Sequence, residues 1–123
     1  MDEMKSVVLQ FVEFINTQDL EGLASLTADQ FIFTDSSGRV HQWNREGAVQ
    51  ECWLGYFKPF PEYQIHVQQV LTGGEGVAII GQTSGSHVSA EIEARSTVLW
   101  VAGLQDGLVS DWRIYATDEY RYG

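Results

Sequence analysis

The sequence predicts an α+β protein. Apolar residues recur at steps of three and four over the first half of the chain, and they alternate with polar ones over much of the second. Helices therefore come first and long strands follow, with no repeat, linker or low-complexity stretch between them. The 123 residues suit a single domain spanning 1–123, because domains commonly run to about 100–150 residues.

Each element has its own signal. Val7, Val8, Phe11, Phe14 and Ile15 form one apolar helical stripe, and Asp2 and Glu3 stand at its start, where negative charge suits the helix dipole. Asp19 is the N-cap of a second helix carrying Leu20, Leu23, Ala24 and Leu26. Phe31 to Thr34 reads as a strand, Asp35-Ser36-Ser37-Gly38 as a turn, and Arg39 to Trp43 as the returning strand. Asn44 caps a third helix with the face Ala48, Val49, Cys52, Trp53, Tyr56 and Phe57, and Lys58-Pro59 ends it.

The period then changes. Tyr63, Ile65, Val67 and Leu71 alternate with Gln64, His66 and Gln68, ahead of a glycine-rich loop over residues 72–76 that includes Glu75. Val77 to His87 continues the set, with Gly81 and Gly85 marking bends. Glu91 to Val101 and Leu108 to Thr117 complete it, joined by the Gln105-Asp106-Gly107 turn.

Composition removes several function classes. A net charge of −10 argues against a nucleic-acid binder or a protein of anionic membrane surfaces, both of which need clustered Lys and Arg. No basic leader or membrane-length apolar run is present, so a cytoplasmic location is expected. Cys52 is the single cysteine and reads as a buried core thiol. His41, His66 and His87 lie at spacings without a metal-ligand signature; no metal or other cofactor is expected.

Four segments in order carry a resemblance. Residues 7–23 place a helix, a short break and an Asp19-Leu20 helix start. Asn44 to Val49 opens the third helix, Gly85-Ser86-His87 is similar to a central-strand Gly-Thr-His, and Asp106-Gly107 leads into Trp112-Arg113-Ile114-Tyr115. Nearly the whole chain thus resembles the nuclear transport factor 2-like superfamily, in its SnoaL-like and ketosteroid-isomerase-like branches. The resemblance implies a cone, in which a curved antiparallel sheet wraps around three helices from the N-terminal half and leaves a pocket. It also implies pairing of two copies through the outer sheet face.

Functions within this fold vary, so the site residues decide. Asp35 falls where the isomerases carry a proton-shuttling aspartate, although the same residue suits an Asx-turn. The isomerase oxyanion hole is broken, since Phe11 stands at its tyrosine position and Thr97 near its aspartate position. A limonene-epoxide-hydrolase-like set keeps Arg95 but has Thr97 and Ile114 in place of its two acids. His87 matches the histidine of SnoaL-like cyclases, the alternative being a hydrogen-bonded structural residue. His66 is expected to face outward, and His41 has no evident partner.

By the same comparison Arg95 and Thr97 turn into the cone, where a guanidinium would hold an anionic or enolate ligand. The alternative for Arg95 is an ion pair with Glu93 or Asp111. Trp100 and Val98 then lie on the opposite face, toward a dimer surface. Trp112 and Ile114 face inward; Asp111, Arg113 and Tyr115 face outward. Phe11, Phe14, Phe31, Phe33, Trp53, Tyr56, Phe57 and Trp112 are core aromatics that line a pocket if one is open. Asp118, Tyr120, Arg121 and Tyr122 form a tail that either covers the mouth or frays. The expected function is binding of a small, partly apolar or anionic ligand. Its two forms are cofactor-free acid–base catalysis, with Asp35 or His87 moving the proton and Arg95 stabilising charge, and non-catalytic ligand binding or dimerisation.

Overall fold

A computed structural model describes residues 3–74, 76–117 and 120. Expectations for Asp2, Glu75, Asp118, Arg121 and Tyr122 lie outside these residues. Helix α1 covers Glu3–Thr17 and α2 covers Leu20–Leu26; strands β1 (Thr27–Thr34) and β2 (Val40–Asn44) follow. Helix α3 runs continuously as an α segment over Arg45–Gly47, a π segment over Ala48–Leu54 and a last α turn over Gly55–Phe57. Strands β3 (Gln64–Thr72) and β4 (Gly76–Ser84), a short helix α4 (Ala90–Ala94), and strands β5 (Val98–Gln105) and β6 (Leu108–Ala116) complete the chain.

The strands form one curved open sheet in the order β2-β1-β6-β5-β4-β3. Neighbours are antiparallel except β1 and β6, which are parallel. Register shifts interrupt β1–β6, β3–β4 and β5–β6, and an extra residue on one strand of a pair bends a sheet. Tyr63 and Ile65 are buried as expected and Val67 is exposed; the shift between Val67 and Gln69 then breaks the alternation, so Leu71 beyond it is exposed too.

Local chemistry sets the boundaries. The Asp19 carboxylate accepts from Gly22 N at 2.9 Å and Asn44 Oδ1 accepts from Gly47 N at 2.7 Å, satisfying donors that have no intrahelical partner. At Asp106-Gly107 both residues have positive φ, 54° and 79°, as a tight hairpin turn between right-twisted strands requires. Asn16 then docks α1 on the sheet: its amide donates to Ile65 O at 3.0 Å and accepts from Ile65 N at 2.7 Å. The α1 stripe (Val8, Phe11, Val12, Ile15) packs in one core with Trp53, Trp100 and Trp112.

One expected strand is wrong in its first half. Residues 90–94 are helical rather than extended: the Ser89 side chain caps Ile92 N, and Glu91 and Glu93 supply negative charge to the first turn. Ala and Glu also favour helix over strand. Strand β5 begins only at Val98, with Val98, Trp100 and Ala102 buried, so the predicted faces are inverted. Trp100 is 1% exposed and belongs to the interior. Strand β4 likewise stops at Ser84, because Gly85 has φ 69° and starts the loop that carries His87. Among the described residues no helix is long and apolar enough to cross a membrane.

Candidate functional site

The concave face of the sheet and the inner side of α3 enclose a cavity of about 500 Å³. Its walls are mainly aromatic: Phe33, Trp43, Trp53, Tyr56, Tyr63, Trp100, Trp112 and Tyr120, with Ile114. All four tryptophans of the chain line it. The π segment of α3 contributes Glu51, Cys52 and Trp53, and such widened turns recur at functional sites. Cys52 is inert as a nucleophile, because burial pushes its thiol pKa far up and thiolate is the reactive form.

Two polar pairs interrupt the apolar wall. The first is built by the β1–β2 hairpin. Asp35 is two residues beyond Phe33 and so shares its face, and the register sets His41 opposite Phe33 and Trp43 opposite Phe31. Asp35 Oδ1 accepts from Ser37 N at 3.0 Å, Ser37 Oγ at 2.6 Å and Arg39 N at 3.0 Å, which is the Asx-turn. Its other oxygen, Oδ2, lies 3.1 Å from His41 Nε2. The His41 ring stacks on Trp43, with planes 6° apart and centroids at 5.3 Å. Partial burial raises the Asp35 pKa, but the hydrogen bonds from Ser37, His41 and Arg39 outweigh it and hold the carboxyl below its ordinary range.

The second pair joins α3 to the loop after β4. The Tyr56 hydroxyl accepts from His87 N at 3.1 Å and lies 2.8 Å from His87 Nδ1. Where the phenol gives its one proton to Nδ1, the imidazole proton sits on Nε2. Desolvation lowers the His87 pKa, although Glu93 and Asp35 pull it upward, so this ring is neutral near pH 7. Burial likewise raises the Tyr56 pKa and keeps the phenol protonated. Behind the loop, buried Glu93 accepts from Thr83 Oγ1 at 2.8 Å and Ser86 N at 3.0 Å, and Thr83 Oγ1 lies 3.0 Å from the Tyr120 hydroxyl. Glu93 thereby fixes the segment that presents His87.

The expected site residues separate into three groups. Asp35, His87, Phe33, Trp53, Tyr56 and Trp112 line the cavity. Phe11 and Phe57 stand one layer behind, with Phe11 ring centroids 5.6 Å from Trp53 and 5.2 Å from Trp112, and Phe57 6.2 Å from Trp53. Arg95 and Thr97 lie outside the lining, on exposed positions past the end of α4. Arg95 pairs at 3.6 Å with Glu91, one helical turn back, rather than with Glu93 or Asp111. Asp111 instead meets Arg113 at 3.5 Å. His66, as expected, is exposed and bonds Ser84.

His41, Trp43, Tyr63 and Trp100 were not anticipated as lining, whereas Tyr120 lines the cavity in keeping with the first alternative for the tail. The Asp35-to-His41 spacing across a four-residue turn carried the signal for the first two, since it fixes which side chains share a face. Among the described residues no group of three His, Cys, Asp or Glu is placed to hold a metal ion. Two donors stand out in the wall: the buried Nε1–H groups of Trp53 and Trp100 have no hydrogen-bond partner among the described residues.

A helix-filled curved sheet with an aromatic cavity between its concave face and α3 defines an α+β roll. The chain belongs to the SnoaL-like domain family, whose model matches residues 8–112. Several solved structures share the fold. A SnoaL-like protein of unknown function from Burkholderia thailandensis aligns over 95% of this chain and 97% of its own, at 15% identity and TM-score 0.75. An NTF2-like protein of unknown function from Cytophaga hutchinsonii aligns over 98% and 95%, at 14% identity and TM-score 0.75. IdmH from Streptomyces antibioticus, which carries a provisional polyketide-cyclase designation, aligns over 93% and 91%, at 19% identity and TM-score 0.69. No curated protein sequence matches the chain.

Proposed function

We propose that the chain binds a small, mostly apolar molecule bearing an oxygen acceptor, and performs cofactor-free acid–base chemistry on it of the isomerisation, cyclisation or hydration kind. The observation that carries this is the cavity itself: about 500 Å³ of mainly aromatic wall, broken by the Asp35–His41 and Tyr56–His87 pairs. The unpartnered Nε1–H groups of Trp53 and Trp100 support the oxygen acceptor, because a buried donor gains most from a ligand that satisfies it. His87, neutral and donating through Nε2–H, and the Asp35–His41 pair are the proton-handling groups. Arg95 has no part in it.

Intrinsic fluorescence tests the binding step, since every tryptophan lines the cavity. Titration with 1-indanone, an apolar ring with one carbonyl, is expected to quench saturably. Linear, unsaturable quenching contradicts the proposal. A second copy pairing on the outer sheet face is proposed as well, supported by exposed Ile32 and Tyr115 on that face and by Leu99 and Ile80 beside Tyr115. Sedimentation velocity tests it, with Tyr115→Glu expected to yield monomer.

A further inference from the structure

We infer that His41 is the residue that takes the proton from a weakly acidic C–H or O–H ligand, and that Asp35 is its positioning residue rather than the base. This rests on the cavity's being a small-molecule site. Geometry separates the three candidate groups. Asp35 Oδ1 already accepts three hydrogen bonds from its own turn, and Oδ2 is engaged by His41 at 3.1 Å, so the carboxylate is largely committed within the hairpin. His87 Nδ1 lies 2.8 Å from the Tyr56 hydroxyl, and in the tautomer that takes the phenol proton there His87 offers the cavity a donor and no acceptor.

His41 has the opposite arrangement. Its Nε2 is committed to Asp35, which fixes the tautomer with the proton on Nε2 and leaves Nδ1 with a lone pair. The ring cannot turn freely, because it stacks flat on Trp43 and lies 6.0 Å from the Phe33 ring. Proton uptake at Nδ1 creates an imidazolium beside a carboxylate already held in place by its turn. No such counter-ion touches His87, whose hydrogen-bond partner is a phenol. The two histidines thus divide the work: His41 receives the proton, and His87 donates a hydrogen bond to the oxygen on which charge develops.

The test substrate is 5-nitrobenzisoxazole, a small apolar ring with one acidic C–H. His41 Nδ1 takes that proton; the C–H electron pair forms the new C–N π bond, the ring N–O bond breaks, and oxygen leaves as the coloured cyanophenolate. The imidazolium then returns its proton to water. Wild type is expected to turn the probe over saturably. His41→Gln is expected to lose about 100-fold in kcat and Asp35→Asn about tenfold, with KM unchanged within about twofold. Equilibrium dialysis of unreactive 5-nitrobenzotriazole reads occupancy separately.

Bound benzotriazole with no wild-type turnover overturns the inference and leaves the cavity reading standing, as does a loss that follows His87→Gln while His41→Gln keeps its kcat. Failure of benzotriazole to bind wild type sinks both. Long-range proton–nitrogen correlation on wild type provides a check that needs no variant. The expected signature is His41 protonated at Nε2, shifting toward tautomer averaging in Asp35→Asn; protonation at Nδ1 overturns the inference.

Discussion

Asp35 Oδ2 and His41 Nε2 face each other at 3.1 Å across a hairpin whose turn occupies the other carboxylate oxygen completely. The relationship makes a turn residue into part of a cavity wall. It also gives Asp35 a measurable role in acid stability. Its folded pKa is depressed, so it contributes stability that is complete above its unfolded value, about 3.9, and is lost as pH falls through the folded value. Asp35→Asn is expected to reduce the loss of stability below about pH 4, read by urea unfolding across that range. An unchanged acid limb contradicts it.

His87 acts at a higher pH and in the same direction. Its folded pKa is lowered, chiefly by burial, so between that value and the ordinary one, about 6.5, the unfolded chain binds more protons than the folded one. Stability therefore falls as pH drops through this window. Protonation also puts a hydrogen on Nδ1 and removes the acceptor for Tyr56. His87→Gln is expected to flatten the unfolding midpoint over this window, and an equally steep dependence in the variant contradicts the assignment.

Glu93 is the buried anchor of the loop that presents His87. Glu93→Ala leaves the Ser86 N–H without its acceptor and takes one partner from Thr83 Oγ1, at an expected cost of about 1–3 kcal/mol. Glu93→Gln keeps an acceptor oxygen and is expected to cost less. Chemical denaturation of both variants checks the order.

Arg95 lies beyond the cavity lining, beside Glu91. Arg95→Ala is expected to leave 1-indanone affinity within about twofold of wild type, the range of a surface change remote from a site. A tenfold loss of affinity in the quenching titration contradicts this placement.

Much of the fold was legible in the sequence because its signals are local. Asp19 and Asn44 cap where their side chains reach the nearby N–H groups, and Asp106-Gly107 demands its turn wherever it stands. Residues 91–94 were misread because alternation was extended backward from β5 to Glu91, and the helix cap at Ser89, two residues further upstream, went unread. That one segment, together with a register borrowed from relatives, inverted the faces of β5 and exchanged Arg95 for Trp100 in the cavity wall. The site was less legible for a different reason. The partner of Asp35 depends on hairpin register, and the partner of Tyr56 lies 31 residues away, so neither contact has a local sequence signature.

The most direct test of the account is a crystal structure with 1-indanone bound. The ring is expected among Phe33, Trp53, Trp100 and Trp112, with its carbonyl oxygen about 3 Å from Trp53 Nε1 and the acidic carbon facing His41 Nδ1. A cavity closed by its own side chains, or indanone seated only on the outer face of the sheet, would contradict it.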